Sequence, residues 1–302
     1  MNRIITTTIQ INVFILTLLL SNQLYSQNTL NKKFENIADT IKGNIGVSAL
    51  HIETGESISF NGDKKFPMQS VYKFPIAMVM LHEIDKGKFS LDDTVMISKN
   101  EYIPEAGHSP IRDKYSNGAK LTIKDILEYN VSQSDGTACD VLIRLLDGTE
   151  QVEKSIHDLG VKNIAISTTE MVQVANDTIQ YQNWSTPKAM NQLLEIFHKG
   201  DYLSKESQDL LLIYMSISNN WFDRRIKGLL PEETELAHKT GTARTYNGLT
   251  RATNDAGIIT LLDGSHLAIT VFISDSFDSQ QKREMTIARA AKEAYAYWTT
   301  KK

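Results

Sequence analysis

The segment DAGIITLLDGSHLAITVFISD, residues 255–275, determines the predicted fold because it carries two apolar runs of strand length around a turn. Asp263 and Gly264 separate the two runs, and an Asp-Gly pair in that position is typical of a tight β-hairpin. The segment ELAHKTGTA, residues 235–243, has strand character as well. We therefore predict that this end of the chain builds an antiparallel sheet.

Two more strands are predicted near the other end of the chain, at IGVSALHIET (45–54) and SISF (57–60), which Gly55 joins. A helical stripe precedes them. It consists of Leu30, Phe34, Ile37 and Ile41 and stops at Gly43, a common position for a helix C-cap. A long helix over 279–298 closes the chain, and the pattern between about 70 and 211 is largely helical.

This order of elements predicts an α+β fold, an α/β/α sandwich. Its antiparallel sheet is flanked by the N- and C-terminal helices and interrupted by an all-α lobe. We predict a sheet lobe over about 27–66 and 212–302, and a helical lobe over about 67–211. A cleft is expected between the two lobes.

The first residues predict export. Residues 11–20 (INVFILTLLL) form an apolar run that is too short to span a bilayer and is typical of a signal peptide, here residues 1–26. An uncleaved anchor is the alternative. The mature chain is expected in the periplasm, as a monomer without a membrane partner. Cys139 is the only cysteine, which excludes an internal disulfide, and the net charge of −4 favours no nucleic-acid partner.

Ser70 and Lys73 are three residues apart at the start of a predicted helix, so both side chains are expected on one helical face. A serine with a neighbouring lysine is a candidate nucleophile with its base. The four-residue pattern is weak by itself, because Ser70 can equally be a helix cap and Lys73 a solvated side chain.

Two further motifs carry polar groups suited to acyl transfer. Ser134-Asp135-Gly136 offers a hydroxyl that can pass a proton and an aspartate that can fix a turn. Lys239-Thr240-Gly241-Thr242 lies in a predicted strand, where Gly241 leaves room for a ligand against the backbone. Each motif also has an ordinary structural interpretation, as a helix connection or a strand edge.

Together and in this order, the three motifs resemble the penicillin-recognising serine enzymes over essentially the whole mature chain. Glu170, between the second and third motifs, is similar to an element of class A serine β-lactamases. The segments VSQSD (131–135), QYQNW (180–184) and TPKAM (186–190) resemble the PER/VEB-type extended-spectrum branch. The resemblance implies a β-lactamase/transpeptidase-like fold. It also implies β-lactam hydrolysis, including that of cephalosporins, with antibiotic resistance as the result.

The resemblance also implies a role for each matching residue. Ser70 attacks the β-lactam carbonyl, and either Lys73 or Glu170 acting through a water takes its proton. The backbone N–H groups of Ser70 and Thr242 form the oxyanion hole, Ser134 passes a proton to the leaving nitrogen, and Glu170 activates the deacylating water. The substrate carboxylate is held by Lys239, Thr240 and Thr242, with help from Arg225.

Three positions depart from the family pattern. Gly136 replaces the asparagine amide that contacts substrate, which implies altered substrate preference. Val174 occupies the place of an asparagine that orients water, so Gln173 or Asn176 must do this or deacylation is slow. His108 precedes Ser109-Pro110 where an aromatic gate is common, and it is either a rim residue or an ordinary loop residue.

Two alternative functions share the serine-lysine machinery: a D-alanyl-D-alanine peptidase, and a penicillin-binding receptor that deacylates slowly. Glu170 argues against the peptidase, while Val174 and Gly136 keep the receptor open. The seven histidines show no H-E-x-x-H or Cys/His pairing, so the sequence predicts neither a metal nor another cofactor. The predicted partner is a small β-lactam.

Overall fold

The computed structural model describes residues 29–217 and 224–300, and the predicted signal peptide lies outside this part of the chain. Its centre is an antiparallel sheet of five strands, which are β1 (Asn44–His51), β2 (Ser57–Phe60), β8 (Leu236–Thr242), β11 (Thr253–Thr260) and β12 (His266–Ser274). Their order across the sheet is β2-β1-β12-β11-β8. The predicted antiparallel α+β fold is confirmed.

Helices cover both faces of this sheet. They are α1 (29–38), α2 (Lys73–Asp85), α3 (Pro110–Lys114), α4 (Ile123–Val131), α5 (Gly136–Leu145), α6 (Thr149–Asp158), α7 (Glu170–Ala175), α8 (Pro187–Lys199), α9 (Lys205–Ser216) and α10 (Gln280–Thr299). Short strands connect them: β3 (Phe66–Pro67), β4 (Thr94–Ile97), β5 (Ala119–Thr122), β6 (Ile164–Ala165), β7 (Trp184–Ser185), β9 (Thr245–Tyr246) and β10 (Leu249–Thr250).

The central strand β12 is buried along nearly its whole length because both of its faces are covered. Ile269 and Val271 pack in a core shared with α1 and α10, whereas Ala268 and Phe272 pack in a second core under the helical block. This alternation follows from the period of two along a strand. It fixes the register of the sheet, since a shift by one residue would exchange the two cores.

The predicted hairpin joins β11 to β12, with Thr260 opposite His266 and Gly264 in the left-handed region at φ 83°. The predicted C-cap at Gly43 is wrong, because α1 ends at residue 38. A Cβ at Gly43 would lie 2.8 Å from the Ser276 Cα. This glycine therefore permits close packing between the chain entering β1 and the chain leaving β12.

Candidate active site

The candidate nucleophile lies in a single 3₁₀ turn, Gln69–Tyr72, that runs directly into α2. Lys73 Nζ donates a hydrogen bond to Ser70 Oγ at 3.0 Å. Ser70 caps no helix, and Lys73 is only 1% exposed, so neither ordinary interpretation of this motif describes the structure. A buried ammonium is therefore held against a half-buried serine.

Glu170 is the first residue of α7, and its carboxylate contacts the same Lys73 ammonium. Burial is the largest single effect on the pKa of Lys73 and acts to lower it, but the charge and hydrogen bond of Glu170, together with the other acidic groups nearby, leave the pKa raised. Lys73 is therefore positively charged. It forms a buried ion pair with Glu170 beside Ser70.

Asp140, which the sequence analysis missed, fixes the start of α7. Its two carboxylate oxygens accept hydrogen bonds from the backbone N–H groups of Glu170 at 2.7 Å and Met171 at 2.8 Å. Burial, followed by the Glu170 charge, raises the pKa of Asp140 to about 7. The signal was an acidic residue four positions after Gly136, on the same face of a largely apolar helix.

The Ser134 hydroxyl lies at the connection between α4 and α5, where Ser134 adopts a left-handed conformation at φ 57°. Lys239 Nζ donates to Ser134 Oγ at 3.0 Å and so joins the second and third motifs. Asp135 fixes the turn as expected, accepting from the backbone N–H groups of Ile111 at 2.6 Å and Ala138 at 2.8 Å.

Lys239 and Thr240 lie in β8 and are both buried. Burial lowers the pKa of Lys239 to about 7, and the Lys73 charge acts in the same direction. His238, on the other strand face, bonds the Asp255 carboxylate at 2.9 Å. Lys239 is therefore the residue of β8 whose charge changes near neutral pH beside Ser134.

Gly241 has a role different from the predicted one. A Cβ at this position would lie 2.4 Å from the Met68 carbonyl oxygen and 3.1 Å from the Ser70 backbone nitrogen. The absence of a side chain therefore brings β8 against the nucleophile turn, instead of leaving space for a ligand. This approach sets the backbone of Ser70 beside the end of β8.

Arg225, predicted to help hold the substrate carboxylate, lies behind β8 and is not among the residues that line the cavity. Its guanidinium is 2% exposed and donates to the Thr242 hydroxyl at 2.7 Å, the Asn254 carbonyl at 2.7 Å and the Gly241 carbonyl at 3.2 Å. The arginine therefore holds the end of β8 and the Thr242 side chain in place.

Gly136, predicted to affect contact with substrate, has a packing role in the structure. A Cβ there would lie 2.5 Å from Ile103 Cδ1 and 3.3 Å from Glu170 Cβ, and Ile103 approaches a Cβ at Gly107 in the same way, at 2.4 Å. The Ile103 side chain packs between two glycines and occupies the space that a side chain at 136 would need. Gly136 is a packing residue beneath the site.

A cavity of about 220 Å³ opens over Ser70, Lys73, Ser134 and Glu170. His108 lies at the rim of this cavity, which agrees with the first of its two predicted positions. Its side chain is exposed, and Nε2 lies 2.9 Å from the Gln133 carbonyl oxygen. The other side is formed by the last residue of β8 and by residues that follow this strand. They are Thr242, Ala243, Arg244 and Tyr246.

Val174 and Gln173 close the cavity beside Glu170. The Gln173 amide donates to the Tyr72 hydroxyl at 3.1 Å, while its Oε1 is buried and has no hydrogen-bond partner among the described residues. Asn176 is exposed, and its Oδ1 accepts from Thr178. Of the two candidates for orienting a water, Gln173 alone has a free acceptor at the cavity.

The sheet is antiparallel and carries a helical insertion, and the cleft holds a half-buried serine beside a buried lysine and glutamate. These features define a serine enzyme of the penicillin-recognising class. The model of the β-lactamase enzyme family matches residues 29–298. The chain belongs to this family.

Similar proteins support a class A enzyme of the PER/VEB type. β-Lactamase VEB-1 of Pseudomonas aeruginosa is 39% identical, covering 91% of this chain and 92% of its own length. Extended-spectrum β-lactamase PER-1 of the same organism is 37% identical over 89% of this chain and 87% of its own. The crystal structure of a Chitinophaga pinensis β-lactamase, 46% identical, superposes with a TM-score of 0.86 and covers 88% of this chain and 98% of that one.

The structure of TLA-1 extended-spectrum β-lactamase gives a TM-score of 0.88 at 41% identity, covering 91% of this chain and 99% of that one. Within residues 29–217 and 224–300, no helix is long and apolar enough to cross a membrane.

Proposed function

We propose that this protein opens the β-lactam ring by acylating Ser70 and then hydrolyses the acyl-enzyme with a water activated by Glu170. The observation that carries the proposal is the single ammonium of Lys73, which lies 3.0 Å from Ser70 Oγ and also contacts the Glu170 carboxylate. One buried cation thus links the nucleophile to the base.

In the acylation step, Glu170 accepts the Ser70 proton through a water, and Lys73 stabilises the negative charge that develops between them. The backbone N–H groups of Ser70 and Thr242 are proposed as the oxyanion hole. Removal of one such donor costs about 2.7–4 kcal/mol in comparable enzymes. Gly241 supports this assignment, because it allows β8 to approach the Ser70 backbone.

Ser134 is proposed to pass a proton to the ring nitrogen as the amide bond breaks. The proton that Glu170 took from Ser70 then replaces it through Lys73, which returns Glu170 to the carboxylate before deacylation. Its hydroxyl accepts from Lys239 at 3.0 Å, which orients the oxygen lone pairs and leaves the O–H free to donate. Protonated Lys239 also attracts the substrate carboxylate, together with the hydroxyls of Thr240 and Thr242. Arg225 acts through Thr242 as a positioning residue.

In the deacylation step, Glu170 removes a proton from a water that attacks the acyl carbonyl. We propose that Gln173 Oε1 accepts the second proton of this water in a hydrogen bond. This oxygen is buried and has no hydrogen-bond partner among the described residues. An unsatisfied buried acceptor reduces stability by roughly 1–3 kcal/mol, so a water that donates to it would be favourable. Val174, which cannot bond water, then serves as an apolar wall.

The substrates are proposed to include cephalosporins, since PER-1 and TLA-1 are both described as extended-spectrum enzymes. We further propose cleavage of the signal peptide after residue 26 and activity as a periplasmic monomer. His108, at the exposed rim, is proposed to contact substrate side chains.

Intact-mass spectrometry during turnover of a chromogenic cephalosporin tests the proposal. Sustained colour release with little adduct is expected from the unchanged protein. Ser70→Ala should give neither colour nor adduct, while Glu170→Gln should form an adduct that persists. A lasting stoichiometric adduct on the unchanged protein would instead indicate a peptidase or a slowly deacylating receptor, and full turnover by Glu170→Gln would refute the role of the glutamate.

A further inference from the structure

Two histidines and a glutamate meet at the end of the sheet that lies away from the cavity. One potential ligand atom of each of Glu53, His198 and His266 lies within 4.8 Å of the other two. The two imidazole rings are 4.1 Å apart between centroids, at an interplanar angle of 44°. We call this group the His198 cluster.

Three separate elements build the cluster. Glu53 follows β1, His266 begins β12, and His198 is the last residue but one of α8, which packs against both strands. The Ile52 backbone N–H donates to the His266 carbonyl at 2.9 Å, and the His266 N–H donates to Glu53 Oε2 at 2.9 Å. These backbone bonds hold two of the three ligands at fixed positions.

Two of the donor atoms face each other. His266 Nδ1 lies 2.8 Å from Glu53 Oε1, and a bound ion would take the place of this hydrogen bond. Among the described residues, no hydrogen bond reaches the ring nitrogens of His198, although that side chain is half-buried. Its nitrogen is therefore free to bind an ion.

The charges favour a cation. The cluster has one carboxylate, that of Glu53, beside two imidazoles, and a histidine binds a metal ion through a neutral ring nitrogen. The nearby Lys199 is neutralised by Glu195 at 2.6 Å.

We propose that Glu53, His198 and His266 form a binding site for one divalent zinc-type ion. Imidazole nitrogen and carboxylate oxygen are usual zinc donors, at about 2.0–2.2 Å. Donors around a tetrahedral ion at that distance are roughly 3.3 Å apart, so small side-chain rotations close the cluster. A water completes the four ligands.

The ion would tie the end of α8 to the ends of two strands without taking part in β-lactam hydrolysis. His266 is seven residues along β12 from Ile273, which lies across the sheet from Thr253 and Thr242 at the catalytic end. At about 3.3 Å per residue, this is roughly 23 Å. Zinc binding and catalysis are therefore separable.

Isothermal titration of ZnCl₂ into tag-free, chelator-treated protein tests the site, with thermal unfolding as a second measurement. We expect one Zn²⁺ per chain and a rise in Tm of a few degrees. His198→Gln and His266→Gln should each weaken binding by about tenfold or more and remove the rise in Tm. His157→Gln is the matched control, since it changes another half-buried histidine outside the cluster.

Turnover of a chromogenic cephalosporin should be unchanged in each variant, which shows that the variant is folded. Glu53→Gln, at an exposed position, provides a third test should a histidine variant fail to fold. The proposal is overturned if the unchanged protein binds no zinc at 100-fold excess, or if zinc binding is the same in all three cluster variants.

Discussion

The Asp140 carboxylate accepts a hydrogen bond from the backbone N–H of Glu170 at 2.7 Å, and so one buried acid positions another. The second Asp140 oxygen bonds the next N–H along, that of Met171. An aspartate that bonds the first N–H groups of a helix stabilises that terminus. The orientation of Glu170 toward Lys73 therefore depends on the protonation state and position of a residue 30 positions earlier.

We predict that replacing Asp140 changes how stability depends on pH. Burial raises the pKa of Asp140 from 3.8 to about 7 in the folded protein, so the folded state binds this proton more tightly than the unfolded chain. The resulting stabilisation is full below about pH 4 and is lost as the pH rises to 7. Asp140→Asn cannot titrate there.

The free energy of unfolding of the unchanged protein, minus that of Asp140→Asn, should therefore decrease between pH 4 and 8. The raised pKa of Asp140 corresponds to a decrease of roughly 4 kcal/mol at most in this difference. Urea denaturation at both ends of this range measures the difference. Asp63→Asn, at an exposed carboxylate, is the control, and a difference that is constant with pH would contradict the prediction.

We predict that Gln173→Leu slows deacylation by roughly tenfold, the effect of losing one hydrogen bond of about 1.4 kcal/mol. The variant should accumulate acyl-enzyme during steady turnover, which rapid quenching and intact-mass measurement detect. Asn176→Ala is the matched control, because Asn176 is exposed and its acceptor is already used. Equal acyl-enzyme levels in the two variants would show that Gln173 does not orient the deacylating water.

We predict that Gly136→Asn destabilises the protein by about 1–3 kcal/mol, because a Cβ at this position meets Ile103 Cδ1 at 2.5 Å. The substitution Ile103→Ala makes room for it, so the two changes should be strongly non-additive in denaturant unfolding. Additive free energies would show that Ile103 is not the group that excludes a side chain from position 136.

We predict that kcat/KM for carboxylate-bearing β-lactams falls as the pH rises above about 7. Burial lowers the pKa of Lys239 to about 7, and the neutral amine formed above this pH no longer attracts a carboxylate. Lys239→Arg stays charged and should flatten this limb of the profile. Initial rates at low substrate between pH 6 and 9 test this, and a flat profile for the unchanged protein would contradict it.

Local patterns in the sequence were enough to predict the sheet and the pairing of Ser70 with Lys73. The Asp263-Gly264 turn and the two apolar runs around it are local signals, and they form the hairpin of β11 and β12 as expected. Ser70 and Lys73 meet because three residues make about one helical turn. Such short-range geometry is encoded within a few neighbouring residues and needs no knowledge of the remaining chain.

Contacts between residues that are far apart in sequence depend on how distant elements pack. Ile103 excludes a side chain at Gly136, and Arg225 reaches Thr242 from behind β8 instead of facing the cavity. His198 and His266 are separated by 68 positions and meet because α8 packs on β12. No local periodicity specifies these contacts, because the direction and free space of a buried side chain depend on which distant elements pack against it.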